Sequence, residues 1–219
     1  MKKFNLVNEI VFIIAHIAPF VYLFLMYDSM PETVPTHFNI EGEADGFSSK
    51  SNLVWMLLAL NGIGYLLFLI IPLIDPKKLT EKQPKIYNRI RIGMTLLLTG
   101  LSILMIYMTT GNVLNGIFAL AVFFGMLCIF LGNYLQAVKS NYFIGLRTPW
   151  TLSSEENWKK THLISGRILF YGGILSFPFI FFMPANLSPI VPVTVLVGGS
   201  VFGLIYSYLI FRKQKKEIA

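Results

Sequence analysis

Cysteine is almost missing from these 219 residues, since Cys128 stands alone inside an apolar run. A single thiol supports neither a disulfide framework nor a cysteine metal cluster, which excludes a stapled secreted scaffold and a zinc module. Charge is scarce too, at 13% of residues, with only 11 acidic side chains. No HExxH, GxSxG, phosphate-binding loop or dinucleotide glycine fingerprint occurs, so the reactions those motifs serve have no carrier here. The three histidines, His16, His37 and His162, lie within one apolar run, just after it, and far downstream. They are too dispersed to form one centre. We therefore expect no enzyme, no cofactor and no catalytic residues.

Apolar residues are abundant instead, with 55% of the chain hydrophobic and 15% aromatic. That composition is far from the soluble average. A helix crossing the hydrocarbon core needs ~20 mostly apolar residues. Six runs qualify: Ile10 to Tyr27, Leu53 to Ile74, Ile92 to Thr109, Val113 to Val138, Ile168 to Ala185 and Ile190 to Phe211. The expected fold class is all-α, a polytopic membrane protein with six transmembrane helices. Lys2 and Lys3 ahead of the first run imitate a secretory signal, but Pro19 directly follows the small residues Ala15 and Ala18 and disfavours cleavage there. The run is expected to stay as a span. The turns at 110–112 and 186–189 are so short that the helices flanking each must be antiparallel.

Basic residues orient the bundle. Every Lys and Arg except Lys50 lies at the N-terminus, between the second and third runs, between the fourth and fifth, or in the tail. Both termini are then expected to be cytoplasmic. The first connection, with Asp28, Glu32, Glu41, Glu43 and Asp45, becomes extracytoplasmic and acidic. The net charge of +7 follows from topology in this reading, and no direct nucleic-acid contact is expected. Two modules result: residues 1–75, two helices with an acidic outer loop at 28–52, and residues 76–219, four helices with a cytoplasmic loop at 139–167. Gly199 and Gly203, together with Gly62, Gly64, Gly125, Gly132, Gly172 and Gly173, are candidate points of close helix approach.

Two places could bind something on the outer side or within the bilayer. His37, Asn39, Glu41, Glu43 and Asp45 fall within nine residues, a set with enough oxygen and nitrogen for Ca²⁺ or Zn²⁺, although the spacing fits neither an EF-hand nor a zincin helix. The competing reading is a small hairpin with solvated carboxylates, with Pro31 and Pro35 extending the backbone and Asp45-Gly46 as its turn dipeptide. We expect a ligand-contact loop and no metal. His16 lies about 9 Å up the first span, at 1.5 Å per residue. A histidine at that depth is a ligand candidate by default, or else a neutral ring bonded to Asn61, Asn133 or a backbone carbonyl.

The cytoplasmic stretch from Asn141 to Arg167 is polar and aromatic, and lies between two spans. Ser153 and Glu156 have capping-box spacing, which predicts a helix start there, with Pro149 holding the chain extended upstream. Glu155 and Glu156 stand four residues before Lys159 and Lys160, while Trp158, Thr161, His162 and Ser165 share the opposite face. Tyr142, Phe143, Trp150 and Trp158 among basic residues suit a segment at headgroup level. They equally suit a docking face with Arg147, Trp150 and Trp158 as anchors.

The run Asn141, Phe143, Ile144, Gly145, Arg147, Thr148, Pro149, Trp150, Thr151, Leu152, Ser153, Glu156, Trp158, Thr161 and His162 resembles the signature of the SdpI family of immunity proteins. Met30 to Lys50 looks like the membrane domain of unknown function that often precedes it. The resemblance implies a multi-pass protein of the bacterial cell membrane that confers resistance to a secreted peptide toxin. It also implies a cytoplasmic winged-helix repressor as partner, with Asn141, Arg147, Thr148, Pro149, Trp150, Glu156, Trp158 and His162 as docking candidates. The rival class is a small-solute transporter, for which His16 and the glycine-rich spans are the support.

Overall fold

A computed structural model describes residues 6–39 and 43–218. Six helices in it are long and apolar enough to cross a membrane, as the runs predicted. They are α1 (Leu6–Met26), α2 (Lys50–Ile74), α4 (Pro84–Thr109), α5 (Val113–Leu135), α7 (Glu155–Phe182) and α8 (Ile190–Ile218), with α3 (Leu79–Lys82) and α6 (Pro149–Ser153) as short helices in the connections. Helix is the natural outcome for an apolar run in hydrocarbon, because each backbone N–H then finds its carbonyl within the same segment. Pro19, Pro72 and Pro178 sit inside such helices, where neighbouring helices support the interrupted ladder. Phe24, Leu73 and Phe182 are more than four-fifths exposed. That pattern suits a surface solvated by lipid.

The helices pack in two groups. α7 lies between α5 and α8, and glycines set the α5/α7 spacing. A Cβ on Gly132 would stand 2.3 Å from Phe170 N and 2.7 Å from Gly166 O. The expected pair Gly199 and Gly203 faces α7 at Leu169 and Ser165. Gly62, in contrast, has nothing within 4 Å of its Cβ position, so it is no packing point. α4 packs against α1 and α2 as well as α5, so it links the two expected modules.

Each end of the bundle carries a polar substructure seated on an apolar cluster. At one end the strands β1 (Thr33–Phe38) and β2 (Ala44–Ser49) form an antiparallel hairpin. Val34 and Met30 sink into a cluster with Leu23, Leu53, Leu57 and Ile106. The all-α bundle thus bears one small two-stranded element. Asp45-Gly46, expected as the turn, lies inside β2 instead, and beyond the strand pairing Asn39 N–H donates to Glu43 O at 2.9 Å. The register shifts beside His37, whose Cβ would lie 2.8 Å from a Cβ on Gly46. Glycine is therefore used to let the strands close over the bulge.

At the other end, Ile71, Leu79, Tyr87, Ile90, Val138 and Trp158 form a second cluster beneath the connections. The helix start expected at Ser153 is displaced by one residue. Ser154 caps α7 by accepting from Asn157 N–H, while the capping box belongs to Thr148 and Thr151 at α6. Pro149 opens α6 instead of prolonging an extended strand, and Pro suits that first position because its missing N–H would have had no helical partner.

Candidate functional site

The segment 139–162 is a folded clamp built from the residues the sequence singled out. Asn141 is fully buried. Its Oδ1 accepts from Phe143 N–H and Ile144 N–H at 2.8 and 2.7 Å, and its Nδ2 donates to Lys139 O and Ile144 O. One amide thereby satisfies a turn that has no regular structure of its own. Gly145 follows with φ +119 and lies against His162, whose Nε2 would be 2.4 Å from a Cβ there. A side chain is excluded both by conformation and by space.

His162 is buried in the clamp. Its Nδ1 lies 2.8 Å from Trp158 O and its Nε2 accepts Leu146 N–H at 3.0 Å, which fixes the proton on Nδ1. The Trp158 ring stacks on it at 3.9 Å, and Trp158 Nε1–H donates to Val138 O. Thr151 Oγ1 donates to Leu146 O, while Thr148 and Thr151 cap each other. Lys77 crosses from the preceding connection to donate to Ser140 Oγ and Leu152 O.

Trp150 ties the clamp to α8. Its Nε1–H donates to Ser207 Oγ at 2.6 Å, and its ring packs on Tyr208 and Phe211. Asn157 Nδ2 donates to Ser207 O nearby. Ser207 lies far downstream in an otherwise apolar helix, and the sequence reading missed it; its small hydroxyl among aromatic neighbours was the available signal.

The docking candidates therefore divide. Asn141, Thr148, Trp158 and His162 are buried, and their side chains hold the clamp together rather than present a surface. Arg147, Pro149 and Glu156 are exposed and Trp150 is half-buried. Arg147 Nη1 donates to Tyr142 O, and Glu156 pairs with Lys160 at 2.5 Å and accepts from Gln214 of α8.

At the hairpin end, His37 Nδ1 pairs with Asp45 Oδ1 at 2.5 Å, and Asn39 Oδ1 accepts Glu43 N–H at 2.8 Å. Glu41 lies outside the described residues. Among the described residues, no three His, Cys, Asp or Glu side chains are grouped to hold a metal ion. Lys50 pairs with Glu32 at 2.9 Å and lies over the Tyr27 ring.

A third polar set runs through α1, α2 and α4. Arg91, almost fully buried, pairs with Glu9 and lies over the Phe12 ring. Thr99 Oγ1 donates to Ala15 O. His16 Nδ1 lies 2.8 Å from Phe12 O, the backbone partner foreseen as one alternative. Asn61 donates to Leu57 O and Ser102 Oγ.

These features define a helical, multi-pass membrane protein with a strand hairpin at one end and a hydrogen-bonded polar clamp at the other. Residues 137–208 match the SdpI/YfhL protein family, and residues 14–62 match the domain of unknown function DUF1648. The chain is 26% identical over 213 residues to "Immunity protein SdpI" of Bacillus subtilis (strain 168), covering 97% of this chain and 98% of that relative. The chain is thus similar to the SdpI/YfhL family in its clamp-bearing half and to the DUF1648 domain near its N-terminus, in agreement with the resemblance carried by the clamp residues. No solved structure matches it.

Proposed function

We propose that the chain protects its cell against a secreted, membrane-active peptide toxin and passes that encounter to a cytoplasmic winged-helix repressor. The observation that supports this reading is the similarity to an immunity protein along nearly the whole of both chains. The basic residues favour cytoplasmic termini and a cytoplasmic clamp, which puts the hairpin outside. There, Glu43 and Asp45, with Glu41, give a cationic peptide an electrostatically favoured approach.

The placement of α7 supports such a relay. Its first turns carry Asn157, Trp158 and His162 of the clamp, and the rest of it packs between α5 and α8. A peptide that binds one helix arrangement more tightly than another shifts the population toward it, and the clamp moves with α7. Arg147, Pro149, Trp150 and Glu156 are the clamp residues a partner can reach.

Expression of this chain in a peptide-sensitive strain tests the reading. Survival on peptide challenge should rise at matched growth, and the repressor should be recovered with membranes when peptide is present. No protection at verified membrane expression would overturn the immunity role. Solute uptake by proteoliposomes would install the transporter in its place.

A further inference from the structure

The register of the hairpin decides which backbone groups it keeps for itself and which it turns outward. Lys50 N–H donates to Glu32 O at 3.0 Å, and the couples that follow are Thr33 with Ser49, Val34 with Ser48 and Pro35 with Phe47. Bonded and non-bonded couples alternate along an antiparallel pair. Counting from the bonded couple Glu32 and Lys50, Val34 and Ser48 are bonded next, and the couples of Ser49 and of Phe47 are the non-bonded ones. The N–H and C=O of Phe47 and the N–H of Ser49 therefore point away from β1. Pro35 fits this register, because its nitrogen, which carries no hydrogen, points away from β2.

The sheet has two strands, so these outward groups meet no third strand among the described residues. β1 is the poorer edge, since Pro35 offers no donor there and the strand packs on α2 and α4. The side chains along β2 are open as well: Phe47 is 61% exposed, and Asp45 and Ser49 are exposed. An open strand edge is a template for another strand, which lysine or proline on the edge would blunt. β2, with the sequence ADGFSS, has neither.

Charge selects what can add there. Residues 28–50 hold five carboxylates and one Lys, Lys50, and that lysine is paired with Glu32. A second copy would add one acidic hairpin to another, whereas a cationic strand meets opposite charge. We propose that the outer edge of β2 receives an extended, cationic segment of the peptide as a third strand, bonded to the backbone of Phe47 and Ser49, with the Phe47 ring as an apolar contact beside it. This rests on the peptide reading above and adds how the peptide is held: by its backbone and charge more than by its sequence.

The test uses the full chain in phosphatidylcholine nanodiscs, titrated with a short fluorescent peptide of alternating Lys and Val. Beside it runs the same peptide N-methylated at every residue, which keeps the charges and side chains and has no backbone N–H. Phe47→Pro removes the outward N–H and obstructs a third strand; because that nitrogen makes no bond to β1, the Tm should be unchanged. Phe47→Ala keeps the N–H. The parent chain and Phe47→Ala should bind the unmethylated peptide, while the methylated peptide, or Phe47→Pro, should bind about tenfold more weakly. No binding of the unmethylated peptide, equal binding of the two peptides, or equal binding by Phe47→Pro and Phe47→Ala overturns the proposal. So does a dimer that Phe47→Pro dissolves, which would make a second copy the occupant. In a peptide-sensitive strain, protection that Phe47→Pro keeps in full removes the edge and leaves immunity standing. A parent chain that gives no protection removes the immunity reading, and the nanodisc comparison then decides the edge alone.

Discussion

Trp158 and Trp150 are eight positions apart and look alike in sequence, yet they do different work. Trp158 is buried, bonded to Val138 O and stacked on His162. Replacing it with Leu should cost about 3 kcal/mol through the lost contacts and the carbonyl left without a donor, seen as a lower Tm in detergent. Trp150→Leu gives up the bond to Ser207 Oγ and two ring contacts on a half-buried side chain, so a loss of about 1 kcal/mol is expected. If Trp150 is a docking anchor, the same variant should reduce repressor recovery with membranes by about 30-fold at an intact fold. Arg147→Lys separates charge from shape: exposed Arg147 should leave the Tm unchanged, and lost partner binding would show that the planar guanidinium is read. Gly145→Ala should lower the Tm more than Trp150→Leu, because a Cβ at φ +119 meets His162 Nε2, the acceptor of Leu146 N–H.

Among the elements, the hairpin and the α5/α7 contact make opposite demands. In the hairpin the charges are solvated and the fold rests on Val34 and Met30 beneath it. Glu41→Gln, Glu43→Gln and Asp45→Asn together should leave the protein folded yet weaken protection against a cationic peptide, most at low salt. Protection that is equal at all ionic strengths would move recognition into the bilayer. Along α5, Gly132→Leu should prevent close packing, because its side chain would meet the α7 backbone at Phe170 and Gly166, which cannot rotate away. A large drop in Tm or in membrane yield is expected. Sequence reading named Gly62 and Gly132 alike; only the positions of neighbouring helices reveal that one is pressed against backbone and the other borders open space.

For the molecule as a whole, the basic-residue pattern makes a topology prediction. Reporters fused after Phe47, Asn112 and Ser188 should read extracytoplasmic, and those after Pro84, Ser154 and Ala219 cytoplasmic. A cytoplasmic reading at Phe47 would invert the protein and place the clamp outside. The structure supports the pairing of ends that this topology needs: Gln83 Nε2 donates to Ala137 O and Lys77 reaches Ser140, which joins the two basic connections at one end of the bundle.

By itself the sequence determined the number of long apolar helices, their approximate limits and the polar segment that carries the family resemblance. Those properties are local: an apolar run of ~20 residues has one low-cost conformation in lipid whatever its neighbours do. The roles inside the polar segment were decided by tertiary structure. Asn141, Thr148, Trp158 and His162 carry the same hydrogen-bonding groups whether they face a partner or their own backbone. The choice was made when Val138, Leu146 and Ser207 came within reach.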